Sequence, residues 1–81
     1  MAANKRRLIE FGMVPPLAIE VAAQIDGGAG NARRLGELSM PLPLASYVAG
    51  RIVPKGATAT KLCELGVATP LAAELATQIN A

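Results

Sequence analysis

The stretch that decides the fold of this chain is residues 8–25, which read LIEFGMVPPLAIEVAAQI. The pattern returns as LGELSMPLPLASYVAGRI at residues 35–52 and as LCELGVATPLAAELATQI at residues 62–79, each copy displaced by 27 positions. No insertion or deletion is needed to align the copies. A fixed period of this length predicts a repeat architecture. The single predicted domain therefore consists of three units, residues 1–27, 28–54 and 55–81.

Each unit predicts two helices joined by a tight turn. In the first unit Asn4 is a favoured N-cap residue, and Gly12 supplies the left-handed residue that ends a short helix. Pro16 favours the first turn of a second helix, which runs to about Ile25. The sequence therefore predicts an all-α protein of three tandem αα-hairpins, with six short helices in total. The equivalents in the other units are Asn31, Ser39, Pro43 and Ile52, and Thr58, Gly66, Pro70 and Ile79.

The second helix carries an apolar stripe of helical period. We expect the recurring leucine and isoleucine of this stripe to form the core, and Glu20, Ala23 and Gln24 to occupy the opposite face. We also interpret Thr69 as an N-cap placed directly before Pro70. The expected core residues are Leu17, Leu44 and Leu71 with Ile25, Ile52 and Ile79.

The hairpins must pack on one another, because a first helix of fewer than three turns is not stable alone in water. Two arrangements satisfy this requirement: a curved stack, or a closed trefoil with pseudo-threefold symmetry. The glycine-rich link at residues 26–30 permits both.

Composition argues against an enzyme, a cofactor and a metal site. The 81 residues include no histidine and one cysteine, Cys63, so neither a base for a catalytic thiol nor a metal-ligand cluster is present. The net charge of +2 is too small to indicate nucleic acid. In addition, the second helix opens with an apolar Pro-Leu-Ala, where a helix–turn–helix protein places base-reading polar residues. We expect no signal peptide and no membrane-spanning helix.

Polar residues that recur near the ends of the first helix are candidates for binding a protein partner. The carboxylates of Glu10, Glu37 and Glu64 lie near a helix C-terminus, where the helix dipole disfavours negative charge. They either pair locally with the basic residue three positions earlier or meet a basic group on a partner. The turn adds apolar candidates. The candidate partner-binding residues are Arg7, Arg34, Lys61, Glu10, Glu37, Glu64, Phe11, Met13 and Met40.

The repeated motif Leu-x-Glu-Leu-Gly-Met/Val-x-x-Pro-Leu-Ala-x-Glu-Leu/Val-Ala-x-Gln-Ile resembles repeats of small virion proteins of tailed bacteriophages, of the head fibre, decoration or cement type. It is nearly complete at Leu8–Ile25 and Leu62–Ile79. The middle unit departs from it at Ser39, Tyr47 and Arg51.

This resemblance implies a non-enzymatic structural role in a phage virion. The expected partner is the major capsid protein or another head or tail component, bound by multiple copies of the chain. The expected location is the virion, and the cytoplasm of the bacterial host during assembly. A small helical adaptor domain that binds a protein through an apolar patch is the alternative hypothesis, and a nucleic-acid-binding protein ranks below it.

Overall fold

Six α-helices make up the regular structure of residues 3–81, the part of the chain that the computed structural model describes. No strand occurs in that part, so the prediction of an all-α fold with six helices is confirmed. We number the hairpins 1 to 3 in chain order. The helices are α1 (Lys5–Glu10), α2 (Pro15–Gly27), α3 (Ala32–Glu37), α4 (Leu42–Ile52), α5 (Ala59–Glu64) and α6 (Thr69–Asn80).

The first helix of every hairpin is capped by the predicted residue. The side chains of Asn4, Asn31 and Thr58 accept hydrogen bonds from the backbone N–H three residues later, at donor–acceptor distances of 3.2, 3.0 and 3.2 Å. Each bond satisfies one of the N–H groups that a helix start leaves without an intrahelical partner. These caps fix where the short helices begin.

The turn inside each hairpin contains one residue with positive φ. Gly12 has φ +117° and Gly66 has φ +107°, whereas hairpin 2 places Ser39 in this region with φ +88°. Glycine adopts such angles without steric cost, but a residue with a Cβ does not. Hairpin 2 therefore carries local backbone strain that the other two hairpins avoid.

The second helices begin one residue earlier than predicted, and their N-caps differ from the predicted cap. The N-cap residues are Val14, Pro41 and Ala68, and none of them makes a side-chain capping bond. The interpretation of Thr69 as a cap is wrong, because Thr69 is the first residue of α6. Its hydroxyl instead lies 3.8 Å from the Cys63 thiol.

The three hairpins close into a ring. Helix α1 packs on α6 in the way that α3 packs on α2, while α4 contacts both α2 and α6. The principal extents of 25 × 24 × 24 Å agree with a closed arrangement. Of the two arrangements that the sequence allows, the contact between hairpins 3 and 1 favours a closed arrangement over an open stack.

The core is centred on the first-helix leucines and on the inner faces of the second helices. Leu8, Leu35 and Leu62 are each 0% exposed. Among the predicted core residues, Leu44, Ile52 and Ile79 are buried. The prediction is wrong for Leu17, Leu71 and Ile25, which pack against the core but keep part of their surface exposed beside the depressions at the two ends of the ring.

Candidate partner-binding site

The three hairpin turns meet at one end of the ring and enclose an apolar depression of about 360 Å³, which we call the turn-end groove. Equivalent positions of all three units contribute to it, so its lining follows the sequence repeat. Met13 and Met40 are 6% and 4% exposed and belong to the core as well as to the groove. Its lining includes Phe11, Met13, Val14, Leu17, Met40, Pro41, Val67, Ala68 and Leu71.

Large apolar side chains stand exposed around this end of the molecule. Phe11 is 37% exposed, Val14 is 54% exposed, and Leu42, which follows the groove residue Pro41, is 71% exposed. We call these three residues the rim. An exposed apolar cluster beside a concave apolar surface is the usual composition of a protein-binding site.

The apolar N-caps of the second helices belong to the same groove. Val14, Pro41 and Ala68 all line it, at positions where Ser, Thr, Asp or Asn would stabilise the helix by about 0.5–2 kcal/mol relative to an apolar residue. The first helices of the same hairpins are all capped by polar side chains. The turn end is thus apolar at three positions where folding alone favours a polar residue.

The basic candidate residues form ion pairs inside the molecule. The Arg7 Nε lies 3.2 Å from a carboxylate oxygen of Glu74, and the Arg34 Nε lies 3.4 Å from one of Glu20. Both pairs join neighbouring hairpins. Each arginine side chain is still about half exposed. A charge change at either arginine would therefore disturb contacts between hairpins as well as the surface.

The recurring carboxylates pair locally in two of the three hairpins. Glu37 lies 3.5 Å from Arg34, and Glu64 lies 3.9 Å from Lys61. Within residues 3–81, Glu10 makes no ion pair; Arg7 contacts Glu74 and lies over the Phe11 ring at 5.3 Å. The local explanation for the carboxylates therefore holds for hairpins 2 and 3.

A polar network joins hairpin 1 to hairpin 2, and we call it junction 1–2. The side-chain amide of the buried Gln24 accepts a hydrogen bond from the Asn31 N–H at 2.8 Å and donates to the Asn31 carbonyl at 3.2 Å. The same amide nitrogen donates to Glu20 at 2.9 Å, and Glu20 also pairs with Arg34. The network anchors the start of α3 on the side of α2.

The same network joins hairpin 3 to hairpin 1, and we call it junction 3–1. Gln78 accepts from the Asn4 N–H at 2.9 Å, donates to the Asn4 carbonyl at 3.1 Å and donates to Glu74 at 2.8 Å. Glu74 in turn pairs with Arg7. Glu74 and Gln78 stand 54 positions, or two repeat lengths, after Glu20 and Gln24, and Asn4 and Arg7 stand 27 positions before Asn31 and Arg34.

Our placement of Gln24 on the face of α2 opposite the core is therefore wrong. Gln24 and Gln78 are 6% and 9% exposed, and their amides make the contacts between hairpins. The recurrence of Glu and Gln four residues apart in units 1 and 3 is the sequence feature from which this role could have been predicted.

Junction 2–3 uses different residues at the same positions. Tyr47 replaces the glutamate, and its hydroxyl oxygen accepts a hydrogen bond from the Thr58 N–H at 3.1 Å. Arg51 replaces the glutamine and lies over the Tyr47 ring at 5.4 Å. Hairpin 2 also packs closely at Gly30, where an added Cβ would overlap the backbone of Ala49.

The contacts of junction 3–1 change the pKa of one carboxyl group, that of Glu74. The pKa of Glu74 is lowered from its ordinary value of 4.5, first by the hydrogen bond from Gln78 and then by Arg7, against an opposing effect of burial. The ionised carboxylate is therefore the form that the junction stabilises.

Other chemistry is sparse in the described residues. Residues 3–81 contain no group of three or more His, Cys, Asp or Glu side chains placed to hold a metal ion. None of the six helices is both long and apolar enough to cross a membrane. The turn-end groove combines a concave apolar surface with large exposed apolar side chains, as a binding site for a protein would.

Comparison with known proteins supplies no relative. No family model, no curated protein and no solved structure matches the chain.

Proposed function

We propose that this protein is a non-enzymatic binding module of a phage virion, and that it attaches to the capsid or to another head or tail component through its turn-end groove. The observation that carries the binding surface is the set of apolar N-caps at Val14, Pro41 and Ala68. Residues that break a local stability rule tend to lie at functional sites. The virion assignment is supported by the repeated motif alone.

The groove suits a partner that inserts apolar side chains. Its floor includes the sulfur-containing side chains of Met13 and Met40, which adapt to irregular shapes. The exposed Val14 and Leu42 then add apolar contact around an inserted anchor. Because each hairpin contributes one turn, a partner with threefold symmetry would meet equivalent residues three times, and weak contacts would sum.

The basic residues enter this proposal in a smaller role. Arg7 and Arg34 are engaged in ion pairs between hairpins, so apolar contact at the turn end is the primary interaction. Exposed charges on the first helices then adjust the association rate and its salt dependence.

Two experiments test the proposal. Mass spectrometry of purified particles from the source of the gene should detect the chain at many copies per particle; a chain found only free in the lysate would favour the adaptor hypothesis. Binding of the purified chain to such particles should then be compared between Val14→Asn, which makes the groove polar while supplying an N-cap, and Val53→Asn.

Val53 is the matched control because it is 65% exposed and does not line the groove. We expect Val14→Asn to weaken particle binding at least tenfold and Val53→Asn to leave it unchanged. Equal binding by both variants would refute the turn-end groove as the attachment surface, whether or not the chain is found in particles.

A further inference from the structure

The junction between hairpins 3 and 1 joins two parts of the chain that no linker connects. Asn4 and Gln78 are separated by 74 positions in sequence, whereas their counterparts Gln24 and Asn31 in junction 1–2 are separated by seven. The hydrogen bonds and the ion pair are nevertheless the same in both. Junction 3–1 thus makes the same contacts as junction 1–2 without a short linker between its two halves.

We propose that junction 3–1 is an exchangeable interface, and that two copies of the chain assemble through it by exchanging hairpin 3. In the exchanged dimer, the Gln78 amide of one copy binds the Asn4 backbone of its partner, and Glu74 of one copy pairs with Arg7 of its partner. Each copy receives the contacts that it loses, so exchange conserves the junction chemistry.

The linker between hairpins 2 and 3 is suited to act as the hinge. Lys55 in this linker has φ +58°, a left-handed conformation carried by a residue with a side chain. The equivalent residue between hairpins 1 and 2 is Gly28, with φ +68°, which adopts the conformation without strain. Opening the 2–3 linker relieves that strain, and strained short hinges favour domain swapping.

The chemistry of the three junctions limits which hairpins can pair. Glu74 and Gln78 in the second helix of hairpin 3 bind a hairpin that begins with Asn and Arg. Hairpin 3 itself has Thr58 and Lys61 at those positions, so two copies of hairpin 3 do not match each other. Junction 2–3 instead depends on the Tyr47 hydroxyl and the Thr58 N–H. Hairpin 3 of one copy therefore occupies the hairpin 3 position of its partner, and reciprocal exchange between two copies gives a dimer in which every junction is made.

A charge-swap pair tests the exchange. The variants Arg7→Glu and Glu74→Arg each place like charges across junction 3–1, so each alone should be less stable than the wild type. When the two are unfolded together and refolded as a mixture, an exchanged heterodimer contains one native Arg7–Glu74 pair and one reversed pair. We expect light scattering to show a species of twice the 8.3 kDa chain mass, with a higher melting temperature than either variant alone.

The double variant Arg7→Glu/Glu74→Arg in one chain is the control for the reversed pair. If it recovers stability and the mixture still contains only monomers, the proposal is refuted. If it does not recover stability, the oligomeric state of the refolded wild type tests the proposal instead. After refolding at high chain concentration, a dimer that redistributes to monomer on prolonged dilution supports exchange, and monomer alone at every concentration overturns it.

Discussion

Replacing the buried junction glutamine tests how much a polar network stabilises this small ring. The variant Gln78→Leu keeps the side-chain volume but removes two hydrogen bonds to the Asn4 backbone and one to the Glu74 carboxylate. Neutral hydrogen bonds contribute about 1 kcal/mol each, and those to charged groups about 1.5–3 kcal/mol. Leucine recovers part of this by burying apolar surface. We therefore expect a loss of about 2–4 kcal/mol in the free energy of unfolding.

The repeat supplies matched comparisons for this measurement. Gln24→Leu removes the equivalent bonds in junction 1–2 and should cost a similar amount. Arg51→Leu changes the same position in hairpin 2, where the side chain is exposed and stacks on Tyr47, so we expect a cost below about 1 kcal/mol. Urea unfolding followed by circular dichroism measures all three.

Hydrogen exchange adds a local observable to the same experiment. The Asn4 amide should exchange faster in Gln78→Leu, and the Asn31 amide should exchange faster in Gln24→Leu, since each loses its acceptor. Equal costs for all three substitutions, or a cost below about 0.5 kcal/mol for both glutamines, would contradict the argument, because surface substitutions already vary by that amount.

Three further predictions use stability as the readout. Ser39→Gly should stabilise the chain by about 1 kcal/mol in urea unfolding, because it removes a non-glycine residue from φ +88°; a destabilised variant would show that Ser39 is not strained. Leu35→Ala should lower the free energy of unfolding by about 2–5 kcal/mol, and Leu17→Ala by clearly less, because Leu17 is only partly buried. Equal losses would show that the core is not centred on the first-helix leucines. Because the folded pKa of Glu74 is lowered, its contribution is complete above the unfolded pKa and is lost as pH falls through the folded pKa. Chemical denaturation from pH 6 to 3 should therefore show a shallower loss of stability in Glu74→Gln than in the exposed control Glu64→Gln, and identical slopes would exclude this linkage.

Local sequence features were sufficient to predict the helices. The N-caps at Asn4, Asn31 and Thr58 and the turn residues at Gly12 and Gly66 act over three or four residues, so their effects can be predicted without knowing the tertiary structure. The fold class and the number of helices follow from them.

Closure and burial could not be predicted in the same way. Contact between α1 and α6 depends on groups more than 70 residues apart, and the period of the apolar stripe does not specify which neighbour covers it. Gln24 illustrates the limit: its polarity suggested an exposed face, but the next hairpin supplies a backbone N–H and a carbonyl that satisfy the amide in a buried position.

The groove was predicted only in part for a related reason. Phe11, Met13 and Met40 were candidates because they are apolar turn residues, and all three line the groove. Val14, Pro41 and Ala68 were missed, since their significance depends on knowing that they are the N-caps of the second helices. An apolar residue one position away from the N-cap would not conflict with helix capping and would therefore indicate nothing about function.

Two departures of hairpin 2 from the repeated motif, Tyr47 and Arg51, are explained together by junction 2–3. Tyr47 and Arg51 replace the Glu and Gln of the other hairpins, and the next unit starts with Thr58 where the others have Asn. The Tyr47 hydroxyl accepts from the Thr58 N–H, and Arg51 stacks on the Tyr47 ring. The three changes thus form one alternative junction. If all three junctions were identical, only the linkers would determine which hairpins become neighbours. The alternative junction distinguishes one position in the ring from the other two. It does so without altering the leucine core that all three hairpins share.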